Sequence, residues 1–291
     1  MKITLIKAKT DLGVHVDGAN LSPSVIYDHF INDIRINEVI DIEKNNIEKN
    51  KDINNLEKNL DEINNFNEKL YNSVKLVREK DYFPIILGGD HSLSIGSALG
   101  SIKDNQGIIW IDSHGDYNTL ETTKTGNIHG LPLAAINGLN KNELSPFHNG
   151  IYYKPENTVI VGGRDIDKWE KPNIEKMGVT LFTTQDIKEQ GIETIVKKAI
   201  DIASKNTKGI HISFDIDVID PTFAPGVSVP AKDGISDIDS YKIIDEVLKY
   251  QNNINSIDLV EFNPTKDKNN KTETIATTIL EKIITSIHNK N

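Results

Sequence analysis

Short, continuous apolar runs recur along this chain, and the segments between most of them are long enough to form helices. Such runs, rich in isoleucine and valine, are typical of strands buried on both faces of a sheet. Their alternation with helices predicts a parallel sheet covered on both sides, that is, an α/β fold in three α/β/α layers. The predicted strands are residues 3–6, 83–87, 107–111, 158–161, 179–182, 210–214 and 254–260.

Helices are predicted in the intervening segments. The clearest runs from Leu56 to Val77, where apolar residues recur at spacings of three, four and seven and so define one buried face. The segment 41–55, dominated by Asn, Lys, Glu and Ile, is expected to be a solvated loop with weak helical character. The absence of a Pro/Ser-rich linker and of internal repeats favours one domain over residues 1–291. Further helices are expected at residues 22–30, 91–102, 191–205, 237–250 and 272–288.

The composition restricts the kinds of site that the chain can build. It contains 291 residues and no cysteine, which excludes disulfides, cysteine-ligated metal sites and a thiol nucleophile. Any metal must therefore be held by His, Asp or Glu. The formal net charge of −10 and the lack of a Lys/Arg cluster argue against nucleic-acid binding, which requires cations to replace phosphate counterions.

Targeting and nucleotide motifs are also missing from the sequence. No apolar run reaches the ~18 residues of a membrane-spanning helix, and the opening apolar stretch is too short for a signal peptide. We therefore expect a cytoplasmic protein without membrane contacts. No phosphate-binding loop of the Gly-x-x-x-x-Gly-Lys-Ser/Thr type is present, and no Gly-x-Gly-x-x-Gly follows the first strand.

Four of the predicted strands end in potential metal ligands or a carboxylate, at the edge where parallel sheets bind their ligands. Alternate positions of an extended chain project to one side, so each group can converge on one point. Taken singly, a strand-end His or an Asp-x-Asp pair is more often structural. Their coincidence indicates a shared site, because neighbouring buried carboxylates are costly without cations. The residues are His91, Asp112, His114, Asp116, Asp215, Asp217 and Glu261.

Without Glu261, this set contains two imidazoles and four carboxylates, enough to hold two divalent metal ions through bridging carboxylates. Oxygen-rich sites with a little imidazole suit Mn²⁺, while Fe²⁺, Co²⁺ and Ni²⁺ are alternatives. Two metals ~3.5–4 Å apart can lower the pKa of a shared water and deliver hydroxide at neutral pH. The residues therefore indicate a hydrolase.

Three segments resemble the signature blocks of the ureohydrolase superfamily, which includes arginase, agmatinase and formimidoylglutamase. They are Gly88-Gly-Asp-His-Ser-Leu-Ser-Ile-Gly96, Asp112-Ser-His-Gly-Asp116 and Ser213-Phe-Asp-Ile-Asp217. The resemblance extends from Asp11 to Pro264. It implies an arginase-like fold with a central parallel sheet of about eight strands, two Mn²⁺ ions per subunit, hydrolysis of a guanidinium or amidine carbon, and assembly as a homotrimer or homohexamer.

The resemblance also implies roles for the individual residues. One ion would be held by His91, Asp112, Asp116 and Asp215, and the other by His114, Asp112, Asp215 and Asp217. Asp112 and Asp215 would bridge the ions, and Asp116 would also orient the bridging hydroxide. Glu261 matches the carboxylate that receives the guanidinium, a charge-assisted pairing.

The loop after the second block resembles arginase rather than agmatinase. In arginases, the positions matching Asn118, Thr123, Thr125 and Asn127 contact the substrate α-carboxylate, directly or through water. The position matching His129 is a proton shuttle, and Asp167 matches the residue that meets the α-amino group. The resemblance thus implies a Mn²⁺-dependent arginase that converts L-arginine, a small guanidino substrate, to L-ornithine and urea.

One segment departs from this pattern. Arginases and agmatinases usually carry Gly-Thr-Pro where this chain has Ser228-Val229-Pro230, a run that is more similar to formimidoylglutamase. Val229 thereby replaces the threonine whose hydroxyl supports the guanidinium-binding glutamate. The sequence leaves open a related ureohydrolase acting on agmatine, a guanidino acid or formimidoylglutamate, and a metal-binding paralogue of low activity. A deacetylase of the single-zinc class fits less well, because both His91 and Asp116 are retained.

Overall fold

The computed structural model describes residues 1–52 and 54–290. All eight strands of the described chain belong to one sheet, in the order β2-β1-β3-β8-β7-β4-β5-β6, and every pairing is parallel. The strands are β1 (Ile3–Lys9), β2 (Ile36–Glu43), β3 (Phe83–Gly88), β4 (Gly107–Ile111), β5 (Thr158–Gly163), β6 (Thr180–Thr183), β7 (Ile210–Asp215) and β8 (Ile254–Val260).

The helices connect these strands. None of them, within the described residues, combines the length and apolar character needed to cross a membrane. They are α1 (Ser22–Tyr27), α2 (Leu60–Glu79), α3 (Ser94–Ser101), α4 (Pro132–Ile136), α5 (Lys141–Leu144), α6 (Lys171–Met177), α7 (Thr184–Gln190), α8 (Ile192–Ala203), α9 (Asp237–Leu248) and α10 (Lys271–His288).

The helices cover the sheet on both faces. Apolar residues of α1 and α7–α10 pack with one set of strand residues, and those of α2–α6 pack with the alternate set. Strands β3, β4 and β5 are buried along their whole length, as their continuous apolar runs predict. The predicted three-layer α/β/α fold is therefore confirmed.

Two local predictions are wrong. Residues 41–43 belong to β2 and not to a solvated loop. Strand β2 is an edge strand in which exposed positions alternate with partly or fully buried ones, and polar residues interrupt its apolar residues, so it has no continuous apolar run. Helix α2 begins at Leu60, and Leu56 lies outside it with 42% of its surface exposed. Leu56 therefore does not extend the buried face of α2.

The order of the strands determines where the site forms. Strands β3, β8, β7 and β4 are consecutive at the centre of the sheet, although they come from distant parts of the chain. Because all four are parallel, their carboxyl ends lie at the same edge. The four polar groups identified in the sequence directly follow or end these strands and are thereby brought together.

Candidate active site

The first group of potential ligands surrounds the imidazole of His91, which follows β3. Its Nδ1 lies 3.1 Å from Oδ2 of Asp112, 3.2 Å from Oδ2 of Asp116 and 3.0 Å from Oδ2 of Asp215. The Nδ1 is fully buried and makes no hydrogen bond of acceptable geometry. A buried nitrogen without a hydrogen bond among three carboxylate oxygens fits a metal ligand better than a hydrogen-bond donor.

A second group surrounds His114. Its Nδ1 lies 3.0 Å from Oδ2 of Asp217 and 3.5 Å from Oδ1 of Asp112. Asp112 thus directs one oxygen toward each imidazole. The ligand atoms of His91, Asp112 and Asp116 lie within 4.8 Å of one another, as do those of Asp112, His114 and Asp217. This is the arrangement that two cations sharing one carboxylate require.

Neighbouring groups orient the ligands. The Nε2 of His91 lies 2.8 Å from the hydroxyl of Ser213, and its ring stacks on Trp110 at a centroid distance of 3.8 Å. Trp110 donates its indole N–H to Oδ2 of Asp112 at 2.8 Å. Such contacts fix the orientation of metal ligands. Nothing in the sequence assigns an orienting role to Trp110 or Ser213, although each lies two residues before a candidate ligand in the same extended segment.

The charges of these side chains conflict in the absence of a cation. Burial raises the pKa of Asp116 to about 6, and the negative charge of Asp112 adds to this effect. Burial and the charges of Asp217 and Asp112 raise the pKa of Asp215 well above its ordinary value. The pKa of His91 is raised despite burial, because the surrounding carboxylates favour the imidazolium. Divalent cations would remove this repulsion, so the residues fit a metal centre.

A cavity of about 600 Å³ opens directly above His114 and Asp116. Asn118, Thr125 and Asp167, predicted to bind the two ends of an amino acid, line it. Thr123 and Asn127, predicted to bind the same substrate, are buried residues of the same loop. The cavity is thus bounded by candidate metal ligands on one side and by polar loops on the other.

Thr123 and Asn127 support the loop from behind. Thr123 accepts a hydrogen bond at Oγ1 from the Gly126 backbone N–H at 3.1 Å, and its side chain is buried. Asn127 donates its backbone N–H to Oγ1 of Thr125 at 3.2 Å, and its side-chain amide lies 3.0 Å from Nδ1 of His15. These contacts hold the conformation of the loop whose Thr125 lines the cavity.

Glu261 lies beside His129, which lines the cavity. Its Oε1 is 3.0 Å from Nδ1 of His129 and accepts the His91 backbone N–H at 2.8 Å. Burial by itself would raise the pKa of Glu261 and lower that of His129. The contact between the two groups outweighs burial, so the pKa of Glu261 is lowered and the pKa of His129 is raised. Glu261 and Asp116 have positive φ angles of 65° and 48°. Such conformations are unfavourable outside glycine and concentrate at functional sites.

Glu170 is a buried cavity residue that lies outside the motifs recognised in the sequence. Its two oxygens accept the backbone N–H groups of Tyr117 and Asp167, each at 2.8 Å. Burial raises the pKa of Glu170 to about 7, and the charge of Asp116 contributes while these hydrogen bonds oppose it. Its only signal in the sequence is its position three residues after Asp167.

The segment that departs from the family pattern also contacts this site. Val229 lines the cavity, and the neighbouring Ser228 accepts a hydrogen bond from the Asn263 side chain at 3.1 Å. Val227 pairs with Phe262, the residue after Glu261. This pairing places the segment that contains Val229 beside the end of β8, which Glu261 follows.

Comparison with known proteins is consistent with this geometry. The model of the Arginase family matches residues 1–285. The chain belongs to the arginase family. It is 38% identical to an arginase of Bacillus subtilis, with 97% of each protein covered, and 40% identical to an arginase of Staphylococcus aureus over 74% of this chain and 72% of that protein.

Solved structures of the arginase family have the same fold. The crystal structure of B. subtilis arginase gives a TM-score of 0.85 at 36% identity, covering 100% of this chain and 99% of that one. The structure of formimidoylglutamase from B. subtilis gives a TM-score of 0.78 at 19% identity, covering 99% of this chain and 87% of that one. At that identity the comparison shows only that the fold is shared. The arginases therefore favour the predicted arginase function over the alternative substrates, and they confirm the resemblance and its enzyme class, a metal-dependent amidinohydrolase.

Proposed function

We propose that this arginase-family chain hydrolyses L-arginine to L-ornithine and urea with two Mn²⁺ ions per subunit. The observation that carries the proposal is the pair of imidazole–carboxylate groups that share Asp112 at the base of a polar cavity. We infer that the whole chain forms one ureohydrolase domain, a view supported by the family match over residues 1–285.

Six side chains would hold the metal pair. His91, Asp112, Asp116 and Asp215 would hold one ion, and His114, Asp112, Asp215 and Asp217 would hold the other. The mixture of carboxylate oxygen and imidazole nitrogen favours Mn²⁺ over metals that select thiolates. When bound, such a pair supplies hydroxide at neutral pH and stabilises negative charge on the reacting group.

The cavity binds the two ends of the substrate differently. Glu261 receives the guanidinium, because it is a buried carboxylate of lowered pKa beside the metal ligands. Asn118 and Thr125 donate hydrogen bonds to the α-carboxylate at the outer wall, where Thr123 and Asn127 hold their loop. Asp167, whose backbone N–H is fixed by Glu170, receives the α-amino group.

Two residues handle protons during the reaction. Asp116 orients the attacking water toward the guanidinium carbon and accepts a proton from it. Once the guanidinium has displaced His129 from Glu261, the neutral imidazole takes up a proton and passes it to the departing amine, while Asp116 gives up the proton that it accepted from the water, so no proton is gained or lost over the cycle. The exposed edge of the His129 ring gives this proton a route to solvent, since 16% of its side chain is accessible.

The assembly and location of the enzyme follow from the same resemblance. We infer a homotrimer or homohexamer in the cytoplasm, with no nucleic acid or membrane partner. The number of subunits is measured by size-exclusion chromatography with light scattering, which distinguishes a single subunit of 32.5 kDa from a trimer and a hexamer.

A substrate panel tests the proposed activity. The Mn²⁺-loaded protein is assayed with L-arginine, agmatine, a guanidino acid and formimidoylglutamate, and its metal content is determined on the same sample. We expect L-arginine to give the highest kcat/KM, with about two Mn²⁺ ions per subunit. Preference for a substrate without an α-amino acid end would contradict the proposal, whereas bound metal without turnover would indicate an inactive paralogue.

A further inference from the structure

Lys58 is a buried cation without a carboxylate partner. It lies two residues before α2, only 6% of its surface is exposed, and its Nζ donates a hydrogen bond to the backbone carbonyl of Thr125. In the described part of the chain, no carboxylate oxygen comes within 4.0 Å of this Nζ. Lysine is rarely this buried unless it is paired, because an uncompensated charge is costly away from water.

The nearby aspartates on this side of the cavity pair with other lysines. Asp11 contacts Lys44 at 2.5 Å and Lys49 at 3.4 Å. Asp17 contacts Lys49 at 3.0 Å and Lys51 at 2.5 Å. Three lysines thus share two carboxylates, which leaves neither of them to neutralise Lys58.

The segment that carries Lys58 packs against the loop that forms the outer wall of the cavity. Gly126 has a φ of 66°, and a Cβ placed on it would lie 2.3 Å from the Asn55 carbonyl oxygen and 2.5 Å from Cα of Leu56. The backbones of the two segments are therefore in direct contact. The hydrogen bond from Lys58 goes to Thr125, the residue before Gly126, and Thr125 lines the cavity.

The positive charge of Lys58 also acts on the other end of this loop. Burial lowers the pKa of His15, and the charges of His129 and Lys58 lower it further. A neutral His15 can accept, at Nδ1, the hydrogen bond from the Asn127 side chain, 3.0 Å away. The loop is thus supported from behind by one cation and one neutral imidazole.

We propose that Lys58 is a specificity-determining positioning residue, which holds the loop 123–127 and provides the positive charge that selects substrates with an α-carboxylate. The inference rests on the proposed function. The neutral side chains Asn118 and Thr125 donate hydrogen bonds to the anion, and Lys58 acts through the Thr125 peptide group from behind the wall. A cation in a partly desolvated position attracts an anion more strongly than one in water.

Two substitutions and a control test this role. Lys58→Met removes the charge at similar length, Lys58→Arg retains it, and Lys103→Met removes an exposed lysine that is paired with Asp81. For each Mn²⁺-loaded protein we measure KM and kcat for L-arginine and the inhibition constant of agmatine, which lacks the carboxylate. The midpoint of thermal unfolding and the metal content show whether each variant is folded and loaded.

We expect Lys58→Met to raise the KM for L-arginine about tenfold, with kcat and the inhibition constant of agmatine changed less than about twofold. Lys58→Arg and Lys103→Met should keep the wild-type KM. An unchanged KM in a folded Lys58→Met protein, or an equal loss for arginine and agmatine, would overturn the inference. Failure of the wild-type protein to hydrolyse L-arginine would instead refute the proposed function, so the two failures are distinguishable.

Discussion

The Nδ1 of His129 lies 3.0 Å from Oε1 of Glu261, so the group proposed to receive the guanidinium is occupied by an imidazole in the free protein. The carboxylate raises the pKa of His129 above its ordinary value of 6.5, in spite of burial. Below that raised pKa the imidazolium competes with the guanidinium for Glu261. Above it His129 is neutral and releases the carboxylate.

We therefore predict that the KM for L-arginine falls as the pH rises through the pKa of His129, with a midpoint above 6.5. The measurement is KM as a function of pH at saturating Mn²⁺. In the His129→Asn variant this inflection should be absent, and kcat should fall because the proton carrier is lost. An inflection of the same size in the variant would show that another group controls it.

A second prediction concerns Val229, which lines the cavity and stands where the resemblance implies a threonine in arginases. Val229→Thr should supply a hydroxyl near Glu261 and raise kcat/KM for L-arginine by about tenfold, since a hydrogen bond to a buried charged group contributes about 1–3 kcal/mol. Val229→Ala is the matched control, because it changes the volume without adding a donor. Equal activity of the two variants would show that the hydroxyl is not used.

His91 and His114 lie in different groups of candidate ligands. We therefore predict that either metal ion can be removed without the other. His91→Asn and His114→Asn should each retain about one Mn²⁺ per subunit at limiting metal, against about two in the wild type. Elemental analysis after gel filtration measures the ratio. Loss of both ions in either variant would indicate that the sites bind only as a unit.

Glu170 provides a prediction about pH and stability. Its pKa rises from 4.5 to about 7 on folding, so its ionisation opposes folding increasingly as the pH passes from 4.5 to 7. In metal-free protein, the free energy of unfolding of Glu170→Gln should therefore exceed that of the wild type by more at pH 8 than at pH 5. The difference should grow by at most about 3 kcal/mol. Urea denaturation at both pH values measures the difference, and no change with pH would contradict the raised pKa.

The sequence predicts which residues converge at the candidate metal site, because these residues belong to local patterns. An apolar run identifies each buried strand, and alternation identifies residues that project to one side at its end, as in Asp112, His114 and Asp116. Parallel pairing of the central strands then brings these ends together. The edge strand β2 was missed because one of its faces is largely exposed, which removes the continuous apolar run.

The remaining features depend on contacts between distant segments. Glu170 reaches Tyr117 across 53 positions, and Lys58 reaches Thr125 across 67. Neither residue lies in a periodic or strand-end pattern, so nothing local distinguishes it from a solvated charge. Likewise, the contact of Asn127 with His15 joins positions 112 residues apart, so the polarity of the loop in the sequence gives no sign of it.

The central claim is most directly tested by the products formed from L-arginine. Wild-type protein loaded with Mn²⁺ should release urea and L-ornithine in equal amounts, and Asp116→Asn, with its metal content measured in parallel, should release urea at least about a hundredfold more slowly. No urea from the folded, fully loaded wild-type protein, or equal rates from the two proteins, would contradict the account.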